Sequence, residues 1–253
     1  MNPSFFGPPG AELLGIHQAP RASARSHGVV LCNPAPHETA RTHWAFRKLA
    51  DQLVKAGFDV LRFDYRGTGD SAGDLTDTTP ALWAEDIQRA ARELKDVAGV
   101  RKISAVGFRL GALFLAQAAS QGLALDTLVM WEPVVRAAEW MDSLGLIEQQ
   151  LRRALLSAPP RQPGELVGFV LPPALERAWR ALELTSIAAW PAQTEIVAAA
   201  HSESLARLLR TLEQRGQTAS LQIASSAGGS KEHGALLGNE ALELIVSLLS
   251  ERR

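Results

Sequence analysis

The chain has 253 residues, 46% of them hydrophobic and 21% charged. That suits one large α/β domain with a sizeable core and excludes disorder, collagen or coiled coil as the state of the whole. Lys plus Arg number 26 against 27 Asp plus Glu, a formal net charge of -1, so the basic excess that phosphate-backbone binding demands is missing and no nucleic-acid partner is expected. Cys32 is the single cysteine, which excludes an intrachain disulfide and a cysteine-based zinc site.

The opening ten residues have neither a basic n-region nor a sustained apolar run and do not read as a signal peptide. Phe5-Phe6 and the apolar stretch 13–16 suggest an antiparallel edge hairpin ahead of the first core strand at 28–32. Asn33-Pro34 stops that strand, and a helical pattern follows over 42–56, closed by Gly57. A second strand at 58–63 leads into the turn-rich run 64–71, where Asp70 and Ser71 are expected to satisfy the backbone of a tight turn. Pro80 opens the next helix, capped by Thr78 or Thr79 and carrying Leu82, Trp83, Ile87 and Leu94. A strand at 102–107 runs straight into the almost wholly apolar helix 110–116, a pattern that predicts burial on every side. Further strands are predicted at 126–131, 194–200 and 219–224. A helix at 203–215 separates the last two, and another covers 235–249.

Strands alternating with helices predict a mostly parallel central sheet with helices on both faces. The stretch 136–190 breaks the alternation, with helical pieces at 138–155 and 174–184 interrupted by prolines. It is read as a helical cap or lid insert of residues 136–190, between core segments 1–135 and 191–253. The longest uncharged apolar run, 110–125, is too short and too polar for a membrane span, so a cytoplasmic location is expected.

Two glycines frame Arg109: Gly107-Phe108-Arg109-Leu110-Gly111 sits between a strand and a buried helix. Small residues two before and two after a sharp turn let strand and helix approach, which is the layout of a nucleophile elbow. With 31–34 after the first core strand, 63–71 after the second, Trp131-Glu132-Pro133 and a late His233, the chain resembles the α/β-hydrolase superfamily over most of its length. It is most similar to the serine-aminopeptidase-like branch, in particular the bacterial exosortase-system-associated hydrolases, some of which carry Gly-x-Arg-x-Gly-Ala as 107–112 does.

The resemblance implies an α/β-hydrolase fold, His233 at the catalytic-histidine position, and backbone donors for an oxyanion from Leu110 and from the loop around Ala35 to His37. It implies an acid after the strand ending near Ala200, where only Glu203 is available. It calls for no cofactor, and no histidine pair has metal-ligand spacing. The central residue departs from the pattern. A guanidinium has no lone pair suited to attack, so Arg109 forms no acyl-enzyme. At the N-terminus of a helix its charge seeks an anion. Glu132, at the end of the neighbouring strand, is the expected internal partner; an anionic ligand is the other choice.

Three readings follow. The first is a degenerate hydrolase relative that binds an acyl, carboxylate or other anionic small molecule. The second is an active hydrolase of ester, thioester or amide bonds, with water activated by His233 and the oxyanion held by Arg109 and backbone N–H groups. The third is a module with a protein partner. His37 either lines the pocket or sits solvated in its loop. Cys32 reads as a small buried hydrophobe. The tryptophans read as core or cap packing, and Trp140 and Trp179 of the insert are the two to check for a pocket role.

Overall fold

The computed structural model describes residues 2–21, 24–154, 164–224 and 238–251. Its strands are β1 (Asn2–Phe6), β2 (Leu13–Gln18), β3 (His27–Cys32), β4 (Asp59–Phe63), β5 (Lys102–Phe108), β6 (Leu128–Trp131), β7 (Glu165–Leu166), β8 (Phe169–Val170), β9 (Thr194–Ala198) and β10 (Ser220–Ile223). Its α-helices are α1 (Pro36–Lys55), α2 (Pro80–Ala98), α3 (Leu110–Ser120), α4 (Ala137–Ala154), α5 (Pro173–Arg180), α6 (Glu203–Gln214) and α7 (Asn239–Ser250).

Eight strands form one sheet in the order β1-β2-β4-β3-β5-β6-β9-β10. The N-terminal hairpin is antiparallel within itself and to β4, and every other pairing is parallel. This is the mostly parallel sheet that the alternation of elements predicts, in the α/β-hydrolase form that the resemblance implies. The parallel strands read as unbroken apolar runs because both faces are covered. On one face Trp83, Ile87, Phe114, Leu208 and Leu212 of α2, α3 and α6 pack on Val30, Ala105 and Met130. On the other, Phe46, Leu49, Leu242 and Ile245 of α1 and α7 pack on Val29, Val106 and Trp131.

Helix signals act where the sequence places them. Thr79 accepts from Leu82 N–H at 3.2 Å ahead of Pro80, and Gly99 ends α2 in the left-handed region. Two boundaries differ from expectation. Helix α1 starts at Pro36 rather than at 42, because proline with its fixed φ is suited to a first helical turn. Helix α7 starts at Asn239, capped by Gly238; the first part of the expected helix, 235–237, and His233 lie outside the described residues. Between β6 and β9 the chain also forms the short hairpin β7–β8, which periodicity did not reveal. Among the described residues no helix is long and apolar enough to cross a membrane.

Candidate functional site

In a parallel sheet all strands end at one edge. The turns after β3, β5, β6 and β9 therefore converge, and their residues form one cluster. Arg109 is its centre. It has φ 55° and ψ -120°, a region that a non-glycine residue occupies only when its surroundings fix it. Those surroundings are visible. Arg109 N–H donates to Trp131 O at 3.0 Å, and its carbonyl accepts from Ala112 and Val134 at 3.2 and 3.3 Å. The flanking glycines are required by contact distance. A Cβ at Gly107 would lie 2.6 Å from Ala112 Cα, and one at Gly111 would lie 2.2 Å from Asn33 O.

The Arg109 guanidinium does not take Glu132 as its hydrogen-bonded partner. Its Nε donates to Glu38 Oε1 at 3.1 Å, on the second turn-forming segment of the site, the start of α1. Glu132 also has a positive φ, 47°, and its carboxylate accepts from the backbone N–H of Ala199 at the end of β9. That twist commits the Glu132 side chain to its other neighbour. Burial pushes the Glu132 pKa up, and the bond from Ala199 N–H, then the Arg109 charge through space, partly offset that push. Glu38 is pushed up in the same way, by burial first, with Arg109 opposing. Among the described residues the Nη groups of Arg109 have no hydrogen-bond partner, and Glu38 Oε2 is buried without one.

His37 is not a solvated loop residue. It lies in the first turn of α1 and stacks on Trp140 of α4, with ring centroids 5.6 Å apart and planes 28° apart. Phe169 of β8 is 6.2 Å away. Burial, then the Arg109 and Arg41 charges, lower its pKa to about 4, and its Nε2 is buried without a partner. Trp140 thus touches the site, whereas Trp179 is fully buried against Trp83 and Phe114 in the core.

The remaining candidates fall as follows. Leu110 begins α3 and is fully buried, and as a first-turn residue its N–H has no intrahelical acceptor. Ala35, also fully buried, precedes α1, and its carbonyl accepts from Glu38 and Thr39 N–H. Gly111 packs α3 onto the β3–α1 turn, so the two helix N-termini adjoin. Glu203 is not drawn into this cluster. Its side chain is 88% exposed, and its ion-pair partner is Arg207 one turn on, at 3.8 Å. Cys32 is buried beside Tyr65, and burial drives its thiol pKa far up, which keeps it protonated. Among the described residues no three metal-ligating side chains gather. Glu38 is the residue that sequence reasoning missed. Its signal was an acidic side chain one residue beyond the Pro36-His37 start of a helix, where the dipole favours it.

The lowered His37 pKa has a consequence for stability. The unfolded chain takes up the imidazole proton near the ordinary histidine value of about 6.5, while the folded chain refuses it until about 4. Stability is therefore full above the unfolded value and falls as the pH drops towards 4, by at most about 3 kcal/mol. Urea unfolding from about pH 7.5 to about pH 4.5 checks this. The His37→Phe variant is expected to lose that part of the slope. An equal slope in both proteins would contradict it.

Residues 29–232 match the model of the "Alpha/beta hydrolase family". The chain belongs to the alpha/beta hydrolase family. No curated protein sequence matches it. Among solved structures it is similar to Est1E from Butyrivibrio proteoclasticus, with TM-score 0.68 at 17% identity, covering 99% of this chain and 97% of that one. A thermostable carboxyl esterase from Bacillus coagulans gives TM-score 0.67 at 13% identity, covering 99% and 98%. A serine hydrolase without lid from Xanthomonas campestris gives 0.62 at 17%, covering 100% and 94%. At these identities the likeness is one of fold.

Proposed function

We infer that Arg109 stands where the family carries its nucleophile, and that the chain binds an acyl, carboxylate or other anionic small molecule without serine chemistry. The observation that supports this is the way Arg109 is held. Glu38 engages only Nε, which fixes the side chain and leaves both Nη groups for the two oxygens of a ligand, a fork geometry suited to carboxylate or phosphate. The N–H groups of His37 at the start of α1 and of Leu110 at the start of α3 adjoin the same place and favour negative charge, while those of Glu38 and Thr39 already donate to Ala35 O.

In this reading residues 136–190 act as a cap over the sheet edge, and Trp140 and Phe169 close the site from that side. The likeness of Gly107–Ala112 to Gly-x-Arg-x-Gly-Ala supports membership of the bacterial exosortase-associated branch, and a cytoplasmic location goes with this reading. The test is thermal unfolding with acetate, octanoate or inorganic phosphate. At least one is expected to raise the melting temperature of the wild type. The Glu38→Gln/Arg109→Met pair, which removes the guanidinium without stranding a buried carboxylate, is expected to lose the effect. Short p-nitrophenyl esters give the opposing outcome: turnover by the wild type that disappears in His233→Ala would overturn the binding reading in favour of water activated by His233.

A further inference from the structure

Helices α1 and α7 lie side by side over one face of the sheet. Lys48 in the middle of α1 donates to Asn239 Oδ1 at the start of α7. Arg25 donates to Ala56 O and to Ser250 O at the far ends of the two helices. The helices therefore run in the same direction, with their C-terminal ends level.

Their outer surfaces carry opposite charge. Helix α1 exposes Arg41, Arg47 and Lys55, with Lys48 half-buried beside them. Its two acids are engaged elsewhere: Glu38 accepts from Arg109, and Asp51 accepts from Gln18 of β2. Helix α7 exposes Glu240 and Glu243, Glu251 follows at its C-cap, and no cation lies between 239 and 251. Neighbouring helices could cancel such charges within the chain, but these do not. Among the described residues Arg41, Arg47, Lys55, Glu240 and Glu243 form no ion pair. Trp44 lies three positions after Arg41 and three before Arg47, on the same helix face, and is 46% exposed. Exposed tryptophan and arginine together are what protein–protein interfaces are enriched in.

A basic stripe beside a parallel acidic stripe is complementary to its own copy. A two-fold axis running along the helices sets α1 of one copy on α7 of the other, and α7 on α1, so cations face carboxylates on both sides of the axis. An axis across the helices sets α1 on α1, cation against cation, and is disfavoured.

We propose that this face binds a second copy of the chain, in a two-fold dimer in which Arg47 and Lys55 of each copy meet Glu240, Glu243 and Glu251 of the other and Trp44 adds apolar contact. Two helices present on the order of 500 Å², less than the roughly 800 Å² per partner of a standard interface. The dimer is accordingly weak and salt-sensitive, with a dissociation constant of about 10–100 μM at low ionic strength. It does not depend on what Arg109 binds.

Sedimentation velocity tests this. At roughly 200 μM protein the wild type is expected to be largely dimeric in about 20 mM salt and monomeric in about 500 mM. Glu240→Lys/Glu243→Lys makes both stripes basic. Arg47→Glu/Lys55→Glu turns the part of α1 that faces α7 acidic. Each double variant alone is expected to stay monomeric at low salt, and the two mixed in equal amounts are expected to associate, since each then supplies the charge the other lacks. All four positions are exposed, so melting curves close to that of the wild type report that both variants fold. A wild type that is monomeric at low salt overturns the dimer. So does a dimer that persists in either double variant, or a mixture whose components stay apart.

Discussion

Gly111→Ala is expected to remove about 3 kcal/mol or more of stability, a large share of the roughly 5–15 kcal/mol that holds a domain folded. The added Cβ would sit 2.2 Å from Asn33 O, 2.7 Å from Cys32 O and 2.9 Å from Asn33 C. All three are backbone atoms, so no side-chain rotation relieves the clash. Helix α3 would have to back away from the end of β3. That movement would also pull Leu110 and Arg109 from the first turn of α1, and with them the Arg109–Glu38 pair. Urea unfolding followed by circular dichroism measures the loss. Gly145→Ala is the control: its Cβ meets nothing within 4 Å, so it is expected to stabilise α4 by about 0.5–1 kcal/mol. A Gly111→Ala variant as stable as the wild type would mean that α3 does not depend on this approach.

The need for glycine at 107 is local, set by β5 and α3, which are adjacent in the chain, whereas glycine at 111 is required by the distant end of β3; both fall within one short strand–turn–helix stretch, which is why the turn could be read from sequence. The parallel strands were legible for a similar reason: burial on both faces turns them into apolar runs such as 128–131. The hairpin β7–β8 left no such mark, since two-residue strands have no period to detect. The start of α1 was hidden because Pro34 and Pro36 read as loop, although Pro36 fills a helical position that needs no N–H.

The polar partners of the site were less legible than its position. Sheet order brings Glu132 next to Arg109, and strand adjacency alone suggested their pairing. The pairing was decided by backbone angles instead. With φ at 47°, Glu132 turns to the Ala199 N–H, and the guanidinium reaches across 71 positions to Glu38. A contact of that separation follows from rotamers and helix boundaries, neither of which a single sequence encodes in a readable pattern. The stacking of His37 on Trp140 is of the same kind, because it joins α1 to α4, whose placement depends on tertiary packing. Ser71 lies at the legible end. Its Oγ donates to Asp64 O at 2.6 Å and accepts from Leu14 N–H at 2.9 Å, the backbone role expected of it in a tight turn.

Asp86→Ala is expected to cost about 3–5 kcal/mol, because it strands a guanidinium away from water. Asp86 is fully buried in α2, and the Arg66 side chain is only 15% exposed. Arg66 Nε lies 2.9 Å from Oδ1 and 3.1 Å from Oδ2, its Nη2 is 2.6 Å from Oδ1, and its backbone N–H donates to Oδ2 at 3.0 Å. Trp83 Nε1 closes the arrangement by donating to Arg66 O at 3.1 Å. These bonds fasten the turn after β4 to α2, next to the strand end where Asn33 Nδ2 donates to Phe63 O at 2.8 Å. Most of the cost comes from the charge left alone, so it should be non-additive. Arg66→Met together with Asp86→Ala is expected to recover much of the stability lost in Asp86→Ala, since an unpaired buried charge is then absent. Chemical unfolding of the wild type, the two single variants and the double variant supplies the cycle. If the double variant loses the sum of the two single losses, the pair contributes no coupling, and Arg66 finds water or another carboxylate when Asp86 is gone. The nearest alternative is Glu85, at 3.6 Å from Arg66 Nη2 with a half-exposed side chain, so Glu85→Gln in the Asp86→Ala background separates those two outcomes.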